Sequence, residues 1–323
     1  MEPQIRFCTT SDGVSIAYAT VGEGPPLVVV PGWVSHLEVL WEWPDRRRFL
    51  EALAEHFFVV SYDKRGTGLS DRGVGDYSTA ARVRDLEAVV DSLKLHRTAL
   101  YGLSEGGAVA IAYAARHPRV VSRMILYGTH ARMVPTPEQR ETIDALEAHV
   151  RAEWGLGSRT LANLFMPGAT AEDVSRFVKL QEKGATREDA ADMLRANVEA
   201  DVFDLLPQVS APTLVIHVTG DLVVPFERGR EIAGHIPNAR LVAIEGDRHS
   251  VGSKGGAQIQ EASLDFLLED RGPQAKESMV AAPPGLVTIL FTDMEGSTAL
   301  TQRLGDARLK NFSACTMPSC ARR

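Results

Sequence analysis

The sequence predicts an α/β protein: a mostly parallel sheet with helices on both faces. Three observations predict it. Runs rich in aliphatic and β-branched residues recur, the continuous Leu27-Val28-Val29-Val30 and then Val120 to Tyr127 and Thr213 to Val218, the composition expected of buried strands. Segments of helical spacing follow them, so that four β-then-α units occur in succession, an order that makes neighbouring strands parallel. Between one strand-like run (Arg97 to Leu103) and one alanine-rich helix (Ala108 to Arg116) lies Gly102-Leu103-Ser104-Glu105-Gly106, a G-x-S-x-G pentapeptide at a strand-to-helix turn.

Taken in order, Ile5 to Thr20 reads as two short strands around the Ser11-Asp12-Gly13 turn, an antiparallel opening hairpin. Leu27 to Val30 is a buried strand that stops at Pro31-Gly32-Trp33. A helix is expected from Asp45 to Glu55, a strand from Phe57 to Tyr62, and, after the loop Asp63-Lys64-Arg65-Gly66-Thr67-Gly68-Leu69-Ser70, an amphipathic helix from about Ser78 to Leu93. The serine strand and its helix come next, then the strand Val120 to Tyr127. From His130 to Leu206 the strand signal gives way to helical stretches, Glu138 to Arg151, Ala171 to Glu182 and Arg187 to Leu206, with glycine breaks at Gly155, Gly157, Gly168 and Gly184. An insertion placed after a sheet strand is expected to lie over the strand ends as a lid. The sheet resumes with Thr213 to Val218, a helix near Phe226 to His235, the strand Ala239 to Ile244 and a last helix near Ala257 to Leu268. Gly272-Pro273 and Pro283-Pro284 bound a polar linker at 271–284, after which Leu286 to Phe291 reads as a new strand.

Bulk properties narrow the function. With 323 residues, 44% of them hydrophobic, the chain can bury a sizeable core. A net charge of −7 without any basic block argues against nucleic acid as a partner. Met1 to Thr10 lacks an apolar leader core and no run is long enough to span a membrane, so a cytoplasmic location is expected. Three cysteines make neither a disulfide framework nor a metal site; no metal or cofactor is implied, and oligomeric state is left open.

A serine hydroxyl becomes a useful nucleophile only when a histidine takes its proton and a carboxylate orients that histidine. At this kind of turn the expected chain order is serine, acid, histidine. After Ser104 the best-placed acid is Asp221, directly following the predicted strand Thr213 to Val218, and the best-placed base is His249, in the loop after Ala239 to Ile244. The same Asp221 could instead cap the next helix or close an Asx turn. The expected oxyanion donors are the backbone N–H groups of Glu105 and Trp33, the latter following a glycine that permits close backbone approach. Three of the four tryptophans, Trp33, Trp41 and Trp43, crowd one short stretch. Trp33, Trp41, His36 and His130 are therefore candidate pocket residues.

Together, Pro31-Gly32-Trp33, Asp63 to Ser70, Gly102 to Gly107, Gly220-Asp221-x-x-Val224-Pro225 and Gly246-Asp247-Arg248-His249 resemble the α/β-hydrolase superfamily over residues 5–270. The resemblance implies the α/β-hydrolase fold, an eight-stranded, mostly parallel sheet with a helical cap, with 1–130 and 207–270 as core and 131–206 as cap. It also implies a catalytic triad of Ser104, Asp221 and His249. Many members carry His-Gly where this chain has Pro31-Gly32, which leaves the second oxyanion donor less constrained than the first. A further stretch, Val287 to Thr298 with Arg303-Leu304-Gly305-Asp306, resembles the opening strand and helix of a class III adenylate/guanylate cyclase domain, in which Asp293 would bind a catalytic metal. Only 30 residues follow Asp293, against the ~100 or more of a domain. Residues 285–323 therefore read as a fragment, cut short by truncation or a shifted reading frame, that is expected to make no cyclic nucleotide. The expected activity is hydrolysis of small-molecule carboxylic esters, as in esterases and lipases. The alternatives are a ligand-sensing domain that once regulated an attached cyclase, and a haloperoxidase-like or amide-cleaving enzyme using the same three residues.

Overall fold

The first strands of the computed structural model pair as the turn signals require. Residues 2–249 and 255–269 are described, all within Met1–Arg271, the first of two units into which the chain divides. The expected linker at 271–284, the strand Leu286 to Phe291 and the cyclase-like segment 285–323 lie outside the described residues. β1 (Gln4–Thr9) and β2 (Ser15–Val21) are antiparallel. Their turn is closed by the Thr10 hydroxyl, which donates to Asp12 at 2.6 Å and accepts the Val14 amide at 2.9 Å. β2 also pairs antiparallel with β4 (Phe58–Tyr62).

From there every pairing is parallel, through β3 (Pro26–Val30), β5 (Thr98–Leu103), β6 (Val121–Tyr127), β7 (Thr213–Val218) and β8 (Ala239–Ile244). The eight strands run β1-β2-β4-β3-β5-β6-β7-β8. Successive side chains of a strand face opposite sides, and β5 shows the result. Leu100 joins a core with residues of α3 (Thr79–Ser92) and α4 (Gly106–Arg116), among them Leu86, Val89 and Ile111. Tyr101 faces the other way, edge-on to Phe49 of α2 (Pro44–Ala54) at 5.6 Å and hydrogen-bonded to Ser263 of α10 (Gly256–Leu268) at 3.1 Å. Each fully buried aliphatic side chain of this kind contributes roughly 1.5–3 kcal/mol.

Four helices separate β6 from β7: α5 (Pro137–Ala152), α6 (Trp154–Phe165), α7 (Ala171–Gly184) and α8 (Arg187–Glu199). Thr136, Thr170 and Thr186 start three of them, each hydroxyl accepting a backbone amide from the first turn of its helix. Two expectations need correction. Gly155 and Gly157 do not interrupt the chain but lie inside α6; a Cβ at Gly157 would come within 2.9 Å of the Val150 Cα, so the residue serves close packing of α5 on α6. The helix expected from Arg187 to Leu206 ends at Glu199. Asp201 then forms an isolated β-bridge with Arg132, and Phe203–Gln208, containing Pro207, is a separate 3₁₀ helix. A short helix not expected from the sequence, α1 (Leu37–Trp41), precedes α2, and α9 (Phe226–His235) lies between β7 and β8. No helix among the described residues is long and apolar enough to cross a membrane.

Candidate active site

The parallel strands end together, and three of those ends converge. Ser104, directly after β5, has φ +48°, one of only two non-glycine residues in the left-handed region among the described residues. Such a conformation is costly for an L-residue and persists where the surroundings enforce it. Here they do: the Ser104 amide donates to the Tyr127 carbonyl at 2.8 Å, and its own carbonyl accepts from the Gly107 amide at 2.9 Å. The flanking glycines are required by contact. A Cβ at Gly102 would lie 2.8 Å from the Gly107 Cα, and one at Gly106 would strike the Pro31 and Val30 carbonyls.

Asp221 lies in the turn after β7 and His249 after β8. His249 Nδ1 is 2.6 Å from Asp221 Oδ2, and His249 Nε2 is 2.8 Å from Ser104 Oγ. With a carboxylate at Nδ1, that nitrogen carries the proton, so Nε2 accepts from the serine hydroxyl. The second Asp221 oxygen accepts the Val223 and Val224 amides at 2.8 and 3.0 Å. Burial alone would raise the Asp221 pKa; the His249 hydrogen bond and charge, with the two amides, outweigh it and hold the carboxyl below its usual range. His217 stands behind, its Nε2 2.8 Å from the Val224 carbonyl to which it donates, and burial pushes its pKa down. His249 is held from three further sides: its amide donates to the Phe165 carbonyl at 3.1 Å, its carbonyl accepts from the Tyr127 hydroxyl at 3.1 Å, and the Phe165 ring meets its imidazole edge-on at 5.3 Å. Phe165 belongs to α6, so the helical insertion touches the histidine directly.

Ser104 and His249 border a cavity of about 150 Å³. Its walls are largely apolar: Trp33, Val34, Leu40, Trp43, Tyr127, Phe165, Phe177 and Leu180. The aromatic rings are in mutual contact, Trp33 with Phe165 at 6.5 Å, Phe165 with Phe177 at 5.5 Å and Trp43 with Phe177 at 6.2 Å. Trp33 is fixed by its indole N–H, which donates to Gln181 at 2.9 Å, while the Gln181 side-chain amide donates to the Ser158 carbonyl at 2.8 Å. The Gly32 backbone abuts the serine, since a Cβ there would be 3.2 Å from the Ser104 Cβ. The Glu105 side chain is buried away from the cavity wall, ion-paired with Lys64 and, at 3.2 Å, with Arg82.

Two family descriptions match the chain, alpha/beta hydrolase fold over 25–154 and TAP-like protein over 193–278. An esterase from Exiguobacterium antarcticum superposes with a TM-score of 0.73 at 25% identity, covering 81% of this chain and 98% of its own. The fold is that of the α/β hydrolases. A second solved α/β hydrolase, the enol-lactonase from Burkholderia xenovorans, matches at 27% identity and a TM-score of 0.69, covering 81% and 99% of the two chains. Among curated proteins the chain is similar to a non-heme chloroperoxidase of Kitasatospora aureofaciens, 29% identical over 81% of this chain and 98% of the relative, and to a putative carbamate hydrolase of Yersinia enterocolitica, 27% identical over 69% and 82%.

Within this hydrolase fold the structure brings Ser104, Asp221 and His249 into one hydrogen-bonded series and sets Trp33 on the cavity wall. The other three candidate pocket residues stand elsewhere. Trp41, the last residue of α1, lines an adjoining recess with Leu37, Leu50 and Tyr62. His36 is buried at the N-cap position of α1. His130 is covered by α8, its Nε2 3.2 Å from Asn197 Oδ1. Sequence reasoning missed Val34, Leu40, Arg46, Tyr127, Phe165, Phe177 and Leu180 as cavity residues. The scarcity of aromatic residues in the helical insertion was the one signal that could have singled out Phe165 and Phe177.

Proposed function

We propose that the chain is a serine hydrolase that cleaves carboxylic esters. The observation that carries this reading is the unbroken hydrogen-bonded series from Asp221 through His249 to Ser104 Oγ at an apolar cavity. Ser104 Oγ attacks the ester carbonyl while its proton passes to His249 Nε2, and Asp221 stabilises the imidazolium. The N–H groups of Glu105 and Trp33 donate to the oxyanion, where the N-terminal end of α4 adds a favourable dipole. Collapse of the tetrahedral intermediate breaks the bond to the alcohol oxygen, which leaves with the proton from His249. Water then attacks the acyl-enzyme, giving its proton to His249, and the carboxylic acid departs as Ser104 regains its hydrogen. The esterase among the structural relatives supports the substrate class.

Ser104→Ala tests the reading. Turnover of p-nitrophenyl esters should fall on the order of 10⁴-fold with an unchanged melting temperature. Equal turnover by the variant contradicts it. The chloroperoxidase relative favours one second reading, in which hydrogen peroxide replaces water as acyl acceptor and a peracid leaves. Peracid formation from an ester and peroxide that disappears in Ser104→Ala would support it.

A further inference from the structure

Among the described residues, Arg46 is the only permanently charged side chain bordering the cavity, and no carboxylate borders it. The acidic residues nearest to it in sequence are engaged by other cations: Glu42 accepts from Lys179 at 3.1 Å, and Asp45 pairs with Arg48. Among the described residues the Arg46 side chain has no ion pair and no hydrogen bond; its specific neighbours are the Phe49 ring, 5.8 Å from the guanidinium carbon, and the Tyr101 phenol. It is partly buried, and burial pulls its pKa down to about 10, so it stays charged at neutral pH in a poorly hydrated place. Its position also works against helix stability, because Arg46, Arg47 and Arg48 follow Pro44 and Asp45 near the N-terminus of α2, the end of the helix dipole that favours anions. A cation held without a counter-ion beside an apolar cavity suits an anionic ligand group, and one guanidinium fork matches a single carboxylate.

We propose that Arg46 determines substrate specificity by pairing with a carboxylate carried on the substrate, so that the preferred substrates are esters bearing a second, ionised carboxyl group on a short acyl chain. Hemiesters of small dicarboxylic acids, and lactones with a pendant carboxylate, have this chemistry. The inference rests on the ester-hydrolase reading for its reaction but on Arg46 alone for the anion. One positive charge in a cavity of about 150 Å³ disfavours a phosphate dianion, which would ask for more donors than this wall offers.

The test compares two substrates with the same leaving group and acyl length, p-nitrophenyl valerate and mono-p-nitrophenyl glutarate. The wild-type chain should favour the hemiester in kcat/KM by at least roughly tenfold, mainly through KM, as expected for a charge-assisted pair. Arg46→Met should remove that preference and Arg46→Lys retain part of it; as a ratio within one protein, the preference is insensitive to the amount of folded enzyme. A wild-type ratio near one, or an undiminished ratio in Arg46→Met, overturns the proposal. If neither ester is turned over, the hydrolase reading fails by itself, and calorimetric binding of glutarate decides the anion site: binding weakened about tenfold or more by Arg46→Met sustains it, and absent or equal binding refutes it.

Discussion

His130 should make the chain sensitive to mild acid. The residue is 1% exposed, one ring nitrogen faces Asn197 and the other, Nδ1, has no hydrogen-bond partner among the described residues. Protonation would bury a charged N–H without an acceptor. Burial, outweighing the Asn197 hydrogen bond and aided by the nearby His249, Arg228 and Arg82, brings the pKa from 6.5 down to about 4. The unfolded chain therefore takes up this proton first as pH falls. Stability that is fully present above about pH 6.5 is lost progressively as pH falls toward 4. Two and a half units correspond to about 3 kcal/mol in the limit, and to about 2 kcal/mol between pH 7 and pH 5. Urea unfolding of the wild type and His130→Gln at both pH values measures this, since glutamine keeps a donor for Asn197 without titrating and the remaining groups cancel. The wild type should lose about 2 kcal/mol more than the variant over this interval. Parallel losses in the two proteins would refute the reasoning.

Two further predictions concern the site. Asp221→Asn keeps the shape of the turn after β7 but no longer fixes the His249 tautomer, and kcat should fall on the order of 10⁴-fold in ester turnover while the melting temperature changes little; a loss below tenfold would remove Asp221 from the mechanism. Gly106→Ala drives a Cβ into the Pro31 and Val30 carbonyls, so thermal or urea unfolding should show about 1–3 kcal/mol of destabilisation, and a neutral result would mean that the strand-to-helix turn is looser than its contacts indicate.

The parts of this architecture that were readable in the sequence are those governed by local chemistry. A strand buried on both faces has to be a continuous apolar run, and Leu27 to Val30 and Thr213 to Val218 are strands in the structure. The turn at Ser104 needs glycine at 102 and 106 for want of space, so the pentapeptide marks a specific geometry. Asp221 and His249 follow strands of one parallel sheet, so strand order alone carries them to the same edge as Ser104. The pocket was less readable because tertiary packing chooses its walls. Trp41 and Trp43 are two residues apart, and only the rotation of α1 and the start of α2 puts one ring in the adjoining recess and the other against Phe177. Phe165 and Phe177 belong to amphipathic helices whose apolar faces look alike in sequence whether they cover a cavity or each other. Gly157 illustrates the same limit: a glycine that could end a helix instead lets two helices approach.

Labelling with a fluorophosphonate, followed by mass spectrometry to locate the modified residue, tests the central claim most directly. The account predicts covalent modification at Ser104, lost in His249→Gln along with ester turnover. Folded protein that is not labelled, or is labelled at another serine, would contradict it.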